Sequence, residues 1–319
     1  MNFVKLDNGM YEGYALIKKI DKKTSSRGSL YLDMTLADSS GEINAKKWDY
    51  VDGFEADMIV KVRGDIDMYN GREQFKISQI RKINDSDNIK MSDLVENAPC
   101  DGEVLWQKLI NKVDAFTDSD LKLIVGTLMN KYKDKFVYYP AALRMHHAVR
   151  GGLIYHTASI VKMAECASSV YENIDRELLI SGALLHDIAK TWELDVNEAG
   201  APKGYTTAGD LIGHLVKGAM EIEKIAEETG ADKEKAVLLE HMVLSHHGVP
   251  EFGAAVRPMF LEAEVLSALD NLDATIFEFN HALSKVQPGS FTERQWALDN
   301  RKLYNHGRKD TQHKVNLDD

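Results

Sequence analysis

Two patterns of apolar and polar positions divide the chain. In its first part the segments EGYALIKKID, SLYLDMTLADSSGEINAKKWD and DMIVKVRGDIDMYNGREQFKISQIRKI alternate with period two, the mark of strands with one face buried. Turn formers interrupt them at Ser39-Ser40-Gly41 and Asn70-Gly71, and the second pair suits a tight hairpin because both positions accept positive φ. A polar, turn-rich run, NDSDNIKMSDLVENA, follows. The period then changes to that of helices, over residues 103–116, 118–132 (with Thr117 and Asp118 as N-cap candidates), 208–229 and 232–246. A last long helix carries Glu262, Glu264, Asp270 and Asp273.

About five strands without a long helix predict a small closed barrel of the OB type over residues 1–85, since closure removes exposed sheet edges. Residues 86–135 read as linker and bracing helices, 136–285 as an all-α bundle, and 286–319 as a C-terminal helix with a frayed tail. The fold class is therefore multidomain β + α. Barrels of this type hold single strands by stacking bases on aromatics beside a basic track. Tyr31, Trp48, Tyr69 and Phe75, interleaved with Lys46, Arg63, Arg72 and Lys76, are the candidates. Trp48 and Phe75 are equally readable as core.

Charge changes this picture only locally. The net charge is −11, yet the first 90 residues hold 15 basic and 15 acidic side chains, so the excess of acid lies beyond them. That argues against a general nucleic-acid coat, leaves room for a basic groove on the barrel, and gives the helical part a field that attracts cations. Two isolated cysteines, Cys100 and Cys166, support neither a disulfide framework nor a zinc knuckle. No basic-then-apolar leader and no run of about 18 apolar residues is found, so a soluble, cytoplasmic protein without membrane contact is expected.

The chemistry concentrates between Gly151 and Lys190. His156 sits early in one predicted helix, and the pair His186-Asp187 ends the apolar run LLISGALLHDIAK. An imidazole and a carboxylate among buried residues are costly unless paired or bound to a cation, so a helix hairpin that brings the three together reads as a metal site. Lys190, three residues after Asp187, falls on the same face and could hold a phosphate. His146, His147, Arg144 and Arg150 precede this helix, and Arg257 follows PEFGAAV; each is a candidate for touching phosphate or for a structural role.

The pattern resembles the HD superfamily of metal-dependent phosphohydrolases, on His156, His186-Asp187 and, in EAEVLSALDNLDA, Asp270 as the matching final ligand. The resemblance implies that His214 (in GHLV) and His246 (in LSHHG) add ligands for a second ion, with Asp187 bridging the two. His241 and His247 leave that identity open. With HHA…GGLIYHT, LLHDIAK, GHL and LSHHG in this order behind a barrel, nearly the whole chain resembles the YhaM-type 3′→5′ exoribonucleases. This implies hydrolysis of single-stranded RNA, and of single-stranded DNA as a second substrate, to nucleoside 5′-monophosphates. A histidine-rich set suits Mn²⁺, Co²⁺, Fe²⁺ or Zn²⁺ better than Mg²⁺, and the resemblance favours Mn²⁺. Asp187 and Lys190, with His147 or His247 as proton donor, form the expected catalytic group, and a homo-oligomer is expected. Two alternatives are an HD-type nucleotide or cyclic-nucleotide phosphohydrolase, and a non-catalytic single-strand binder.

Overall fold

The computed structural model describes residues 9–69, 71–84, 86–87, 89–143 and 147–317; the side chains of Tyr69, Arg72, Ser92 and Phe252 lie outside the description. The chain forms two compact units, one running to Asn97 and taking in Val196–Ala201, the other made of Ala98–Asp195 and the chain from Pro202 onward.

The first unit is the barrel. Strands β1 (Met10–Thr24), β2 (Leu30–Asp38), β3 (Gly41–Trp48), β4 (Ile59–Tyr69) and β5 (Arg72–Lys82) close in the order β1-β2-β3-β5-β4. β1 serves two neighbours: Met10 to Leu16 pair with β4, and Leu16 to Thr24 pair with β2 after a register shift between Ile17 and Lys19. Such an irregularity bends the strand from one partner to the next. A short parallel contact, Asn44 to Lys46 against Gln74 to Lys76, completes the closure, which gives an OB-type Greek-key barrel.

Alternation decides what the barrel buries. Leu32, Met34, Leu36, Ile43, Ala45, Val60, Val62, Phe75 and Ile77 turn inward and form its core, each large side chain contributing about 1.5–3 kcal/mol on burial. Phe75 is wholly inaccessible, so the expectation that it presents a face to nucleic acid is corrected. Gln74 and Lys76 point outward, and the residue between them on a pleated strand must point inward. Leu94, Val95 and Ala199 pack on the barrel's flank with Leu16 and Ile59.

The second unit is helical: α1 (Gly102–Asp114), α2 (Ser119–Phe136), α3 (Gly152–Val170), α4 (Arg176–Leu185), a single turn α5 (Lys190–Glu193), α6 (Thr207–Thr229), α7 (Lys233–Ser245) and α8 (Leu261–Leu283). Asp101, Asp118 and Thr206 cap α1, α2 and α6 by accepting from first-turn amides, each worth about 1 kcal/mol. Residues Gly152 to Val161 of α3 are all buried, as expected of a helix apolar on every side. α3 packs against α1, α4 and α8 and forms the middle of the bundle.

Between α5 and α6 a hairpin forms, β6 (Leu194–Val196) with β7 (Pro202–Tyr205). Two expectations fail further on. Beyond α8 the described residues form only a single 3₁₀ turn, Trp296–Leu298, and no C-terminal α-helix. Pro288 and Gly289 break the helical path, Asp299 and Asn300 take positive φ, and two isolated bridges, Phe291 to Tyr304 and Gln295 to Arg301, fold the chain over Ala282, Leu298 and Leu303. Nor is the tail frayed over its described residues, which run to Leu317. The Val315 amide donates to Tyr155 Oη at 2.7 Å and Lys108 Nζ donates to the Leu317 carbonyl at 2.9 Å.

Candidate active site

α3 starts at Gly151, in a left-handed conformation, and at Gly152, where a Cβ would lie 2.0 Å from the His147 carbonyl oxygen. Only glycine permits that approach. One turn on, His156 Nε2 stands 3.2 Å from His186 Nε2, 3.1 Å from Asp270 Oδ1 and 3.7 Å from Asp187 Oδ2. His186 caps α4, and its Nε2 is 3.4 Å from Asp187 Oδ2. On the far side of the same carboxylate, Asp187 Oδ1 is 3.4 Å from His214 Nε2 and 3.6 Å from His246 Nε2. His247 lies beside these two, with ring centroids 5.3 Å from His214 and 4.4 Å from His246.

The four imidazoles share one arrangement. The Nδ1–H of His186 donates to the Ala183 carbonyl and that of His246 to the Val243 carbonyl, both at 2.8 Å. His156 donates Nδ1–H to Asp273 Oδ2 at 2.8 Å, and His214 donates to Glu193 at 3.0 Å. Each ring is thus anchored through Nδ1 and turns Nε2 toward Asp187, which is how a ligating histidine is held by its outer partner. Asp187 Oδ1, His214 Nε2 and His246 Nε2 are buried without a hydrogen-bond partner. Ligand atoms about 2.1 Å from one ion lie about 3.0–3.4 Å from each other, and the spacings around Asp187, 3.1–3.7 Å, are of the order that divalent-metal binding needs.

Local backbone explains the aim. α6 is broken at Gly213, with φ of 76°, and the kink turns His214 inward while its amide donates to Glu193 Oε1 at 3.0 Å. Sequence reasoning missed Glu193, which closes the separate turn α5 and has no helical spacing that ties it to the histidines. Asp273, one of the carboxylates of the last long helix, is buried and accepts from Ser159 at 2.5 Å as well as from His156 and, at 3.0 Å, His147.

His147 therefore stands behind the ligand set. Its ring is buried against Tyr155, Phe277 and His313. Burial, the main influence on it, lowers its pKa to about 4. His313, from the tail taken for frayed, closes this back wall. His241 is outside the cluster, accepting the Met259 amide at 3.0 Å. Arg257 is exposed ahead of α8, Arg150 lies over the Tyr138 ring at 4.9 Å, and Arg144 and His146 fall outside the described residues.

Charge is balanced for cation binding. Burial works against ionisation of Asp187, but Lys190, at 2.7 Å from Oδ2, and His186 outweigh it and hold the carboxyl well below its usual range. Burial likewise opposes a charge on His156, yet Asp270 and Asp273 carry its pKa up to about 10; a proton there does what a metal ion would do. Burial lowers His214, His246 and His247, the last to about 4, so these rings are neutral and able to donate lone pairs.

On the barrel, Tyr31 and Trp48 are register partners whose rings stack at 4.6 Å. Lys46 lies 5.6 and 5.9 Å from their ring centroids and pairs in register with the exposed Lys76. Trp48 is exposed, so its reading as core is set aside. Arg63 is elsewhere, lining a cleft of about 430 Å³ with Lys47, Lys61 and Arg81. Tyr69 and Arg72 have side chains outside the description.

An OB-type barrel joined to a helical centre of histidines around a shared aspartate defines a metal-dependent phosphohydrolase of the HD class, and residues 153–275 match the family model described as "HD domain". Proteins named "3'-5' exoribonuclease YhaM" from Geobacillus sp. (strain WCH70) and Bacillus licheniformis are 41% and 40% identical over 91% of this chain, covering 90% and 93% of the relatives. One from Listeria welshimeri is 39% identical over 92% of this chain and 94% of its own length. The chain belongs to the YhaM family of 3′-5′ exoribonucleases. A solved OB-fold domain of replication protein A from Methanococcus maripaludis is 16% identical with a TM-score of 0.21, covering 25% of this chain and 86% of that one. Among the described residues no helix is long and apolar enough to cross a membrane.

Proposed function

We propose that this enzyme removes nucleotides one at a time from the 3′ end of single-stranded RNA, releasing nucleoside 5′-monophosphates. The observation that carries the reading is the convergence of four Nδ1-anchored imidazoles on the two oxygens of Asp187. His156, His186, Asp187 and Asp270 would hold one divalent ion, and His214, His246 and Asp187 a second. The donor set suits Mn²⁺, with Co²⁺, Fe²⁺ and Zn²⁺ as alternatives. Bound there, such ions supply water activation and neutralisation of phosphate charge.

The chain's own groups do the rest. Lys190 keeps Asp187 ionised and has further N–H donors for a phosphate oxygen. His147 is committed to Asp273, so it positions His156 rather than moving a proton. His247, half-buried beside His214 and His246, rests neutral and is placed to relay a proton to the departing 3′ oxygen, taking it up once phosphate charge lies beside it. Tyr31, Trp48, Lys46 and Lys76 form the barrel's stacking and phosphate-binding face.

The test is digestion of a 5′-labelled single-stranded RNA in Mn²⁺, beside a 3′-blocked copy and the Asp187→Asn variant. A ladder of products is expected, absent with the block and reduced on the order of a thousandfold or more in the variant. If the metal-loaded enzyme cleaves mononucleotide or cyclic phosphodiesters but no RNA, the nucleotide phosphohydrolase reading replaces this one.

A further inference from the structure

We infer that the lobe from Ser290 to Tyr304, which follows α8, is a second surface for single-stranded nucleic acid on the catalytic unit, independent of the barrel. This rests on the substrate class proposed above. The lobe holds three exposed aromatics in fourteen residues: Phe291 at 63%, Trp296 at 80% and Tyr304 at 50% accessible. They are not exposed because the segment is loose. Leu298 and Leu303 are buried, the Thr292 amide donates to the Leu303 carbonyl at 2.9 Å, the Leu303 amide donates back to Thr292 Oγ1 at 3.0 Å, and buried Asn305 ties the lobe to the Val286 carbonyl at 3.0 Å. A framework of this kind keeps its aliphatic side chains inside and its aromatic rings out, and holds Phe291 and Tyr304 with centroids 5.0 Å apart.

Charge indicates the occupant. Residues 285–319 carry seven Lys or Arg against five Asp or Glu, whereas residues 91–284 carry 17 against 30. Arg294 and Arg301 are oriented by neutral carbonyls, those of Asn300 and Leu298, each at 3.0 Å. Both guanidinium groups are thereby fixed in place; Arg301 is also ion-paired with Asp299 at 3.6 Å, in a largely solvent-exposed bridge. Lys302 is exposed beside them. An apolar protein partner would meet aliphatic side chains, but the large exposed hydrophobics of this lobe are all aromatic. Planar rings among ordered, exposed cations match stacked bases linked by phosphates.

The test is equilibrium binding of a 3′-blocked oligouridylate to the full-length, Mn²⁺-loaded chain. Trp296→Ala is expected to weaken binding about five- to a hundredfold, the scale of one lost stacking contact. Arg294→Gln combined with Lys302→Gln is expected to reduce the slope of log affinity against log salt by about 1.4, two phosphates at about 0.7 each. Tyr171→Ala, an exposed aromatic at the end of α3, serves as control and should bind as wild type does. Wild-type affinity and slope in the lobe variants would overturn the inference. So would unchanged binding with an altered sedimentation coefficient, which would assign the lobe to a second copy of the chain. If wild type itself neither binds nor degrades RNA, the substrate reading has failed rather than this surface.

Discussion

Asp187 faces two pairs of imidazoles with its two oxygens, and the histidines around it are only as well aimed as the groups behind them. Glu193 fixes both the ring and the amide of His214. Glu193→Gln keeps the size but weakens the acceptor, so metal affinity is expected to fall about 10- to 100-fold, measured by titrating metal into the metal-free protein, with circular dichroism unchanged. The buried cluster of histidines and aspartates was legible in the sequence because buried ionisable residues demand partners. Their supports were not, since Glu193 and Asp273 resemble ordinary helix carboxylates until the fold turns them inward. Phe75 shows the opposite case: alternation with Gln74 and Lys76 already placed it in the core, and its aromatic character distracted from that parity.

The element that aims most sharply is α6, through its kink at Gly213. A Cβ there would meet only Glu193 Oε1 at 3.7 Å, so the cost of Gly213→Ala is conformational. A loss of about 1–2 kcal/mol and weaker metal binding are expected, the first read from thermal or urea unfolding. The same helix is tied to α2 and to its own preceding turn through Glu221, which accepts from Lys131 and, at 2.6 Å, from Lys217. Burial pushes the Glu221 carboxyl up, but the two ammonium groups outweigh it and bring it down from 4.5 to about 2. A depressed acid stabilises the fold above its unfolded pKa and loses that contribution as pH falls through its folded one. Glu221→Gln is therefore expected to be less stable at pH 7 by roughly 1–2 kcal/mol, and its deficit to vanish between about pH 4.5 and 2. A deficit constant across that window would show that the pair does not titrate with folding. Periodicity and caps announced α1, α2, α6 and α7 closely. It could not announce the kink, because a glycine inside a helical pattern looks like a tolerated imperfection.

At the scale of the molecule, strands before helices and a charge confined to the second part were visible in the sequence. The path after α8 was not: its order comes from a small core of Ala282, Leu298 and Leu303 and from the tail's bonds to Tyr155 and Lys108, none of which has a period. Nor was the return of residues 196–201 to the barrel unit. That return makes the barrel a clasped fragment rather than a bead on a string. Ala199 is fully buried there, and Asn197 Nδ2 reaches Asp57 Oδ1 at 3.3 Å. A protease that cuts once near Asn84 would break the backbone but leave the clasp shut. The nicked chain is expected to elute from a sizing column as an intact particle and to separate only in denaturant or after a second cut between Val196 and Ala201. Prompt release of the barrel after the first cut would show that the clasp does not hold.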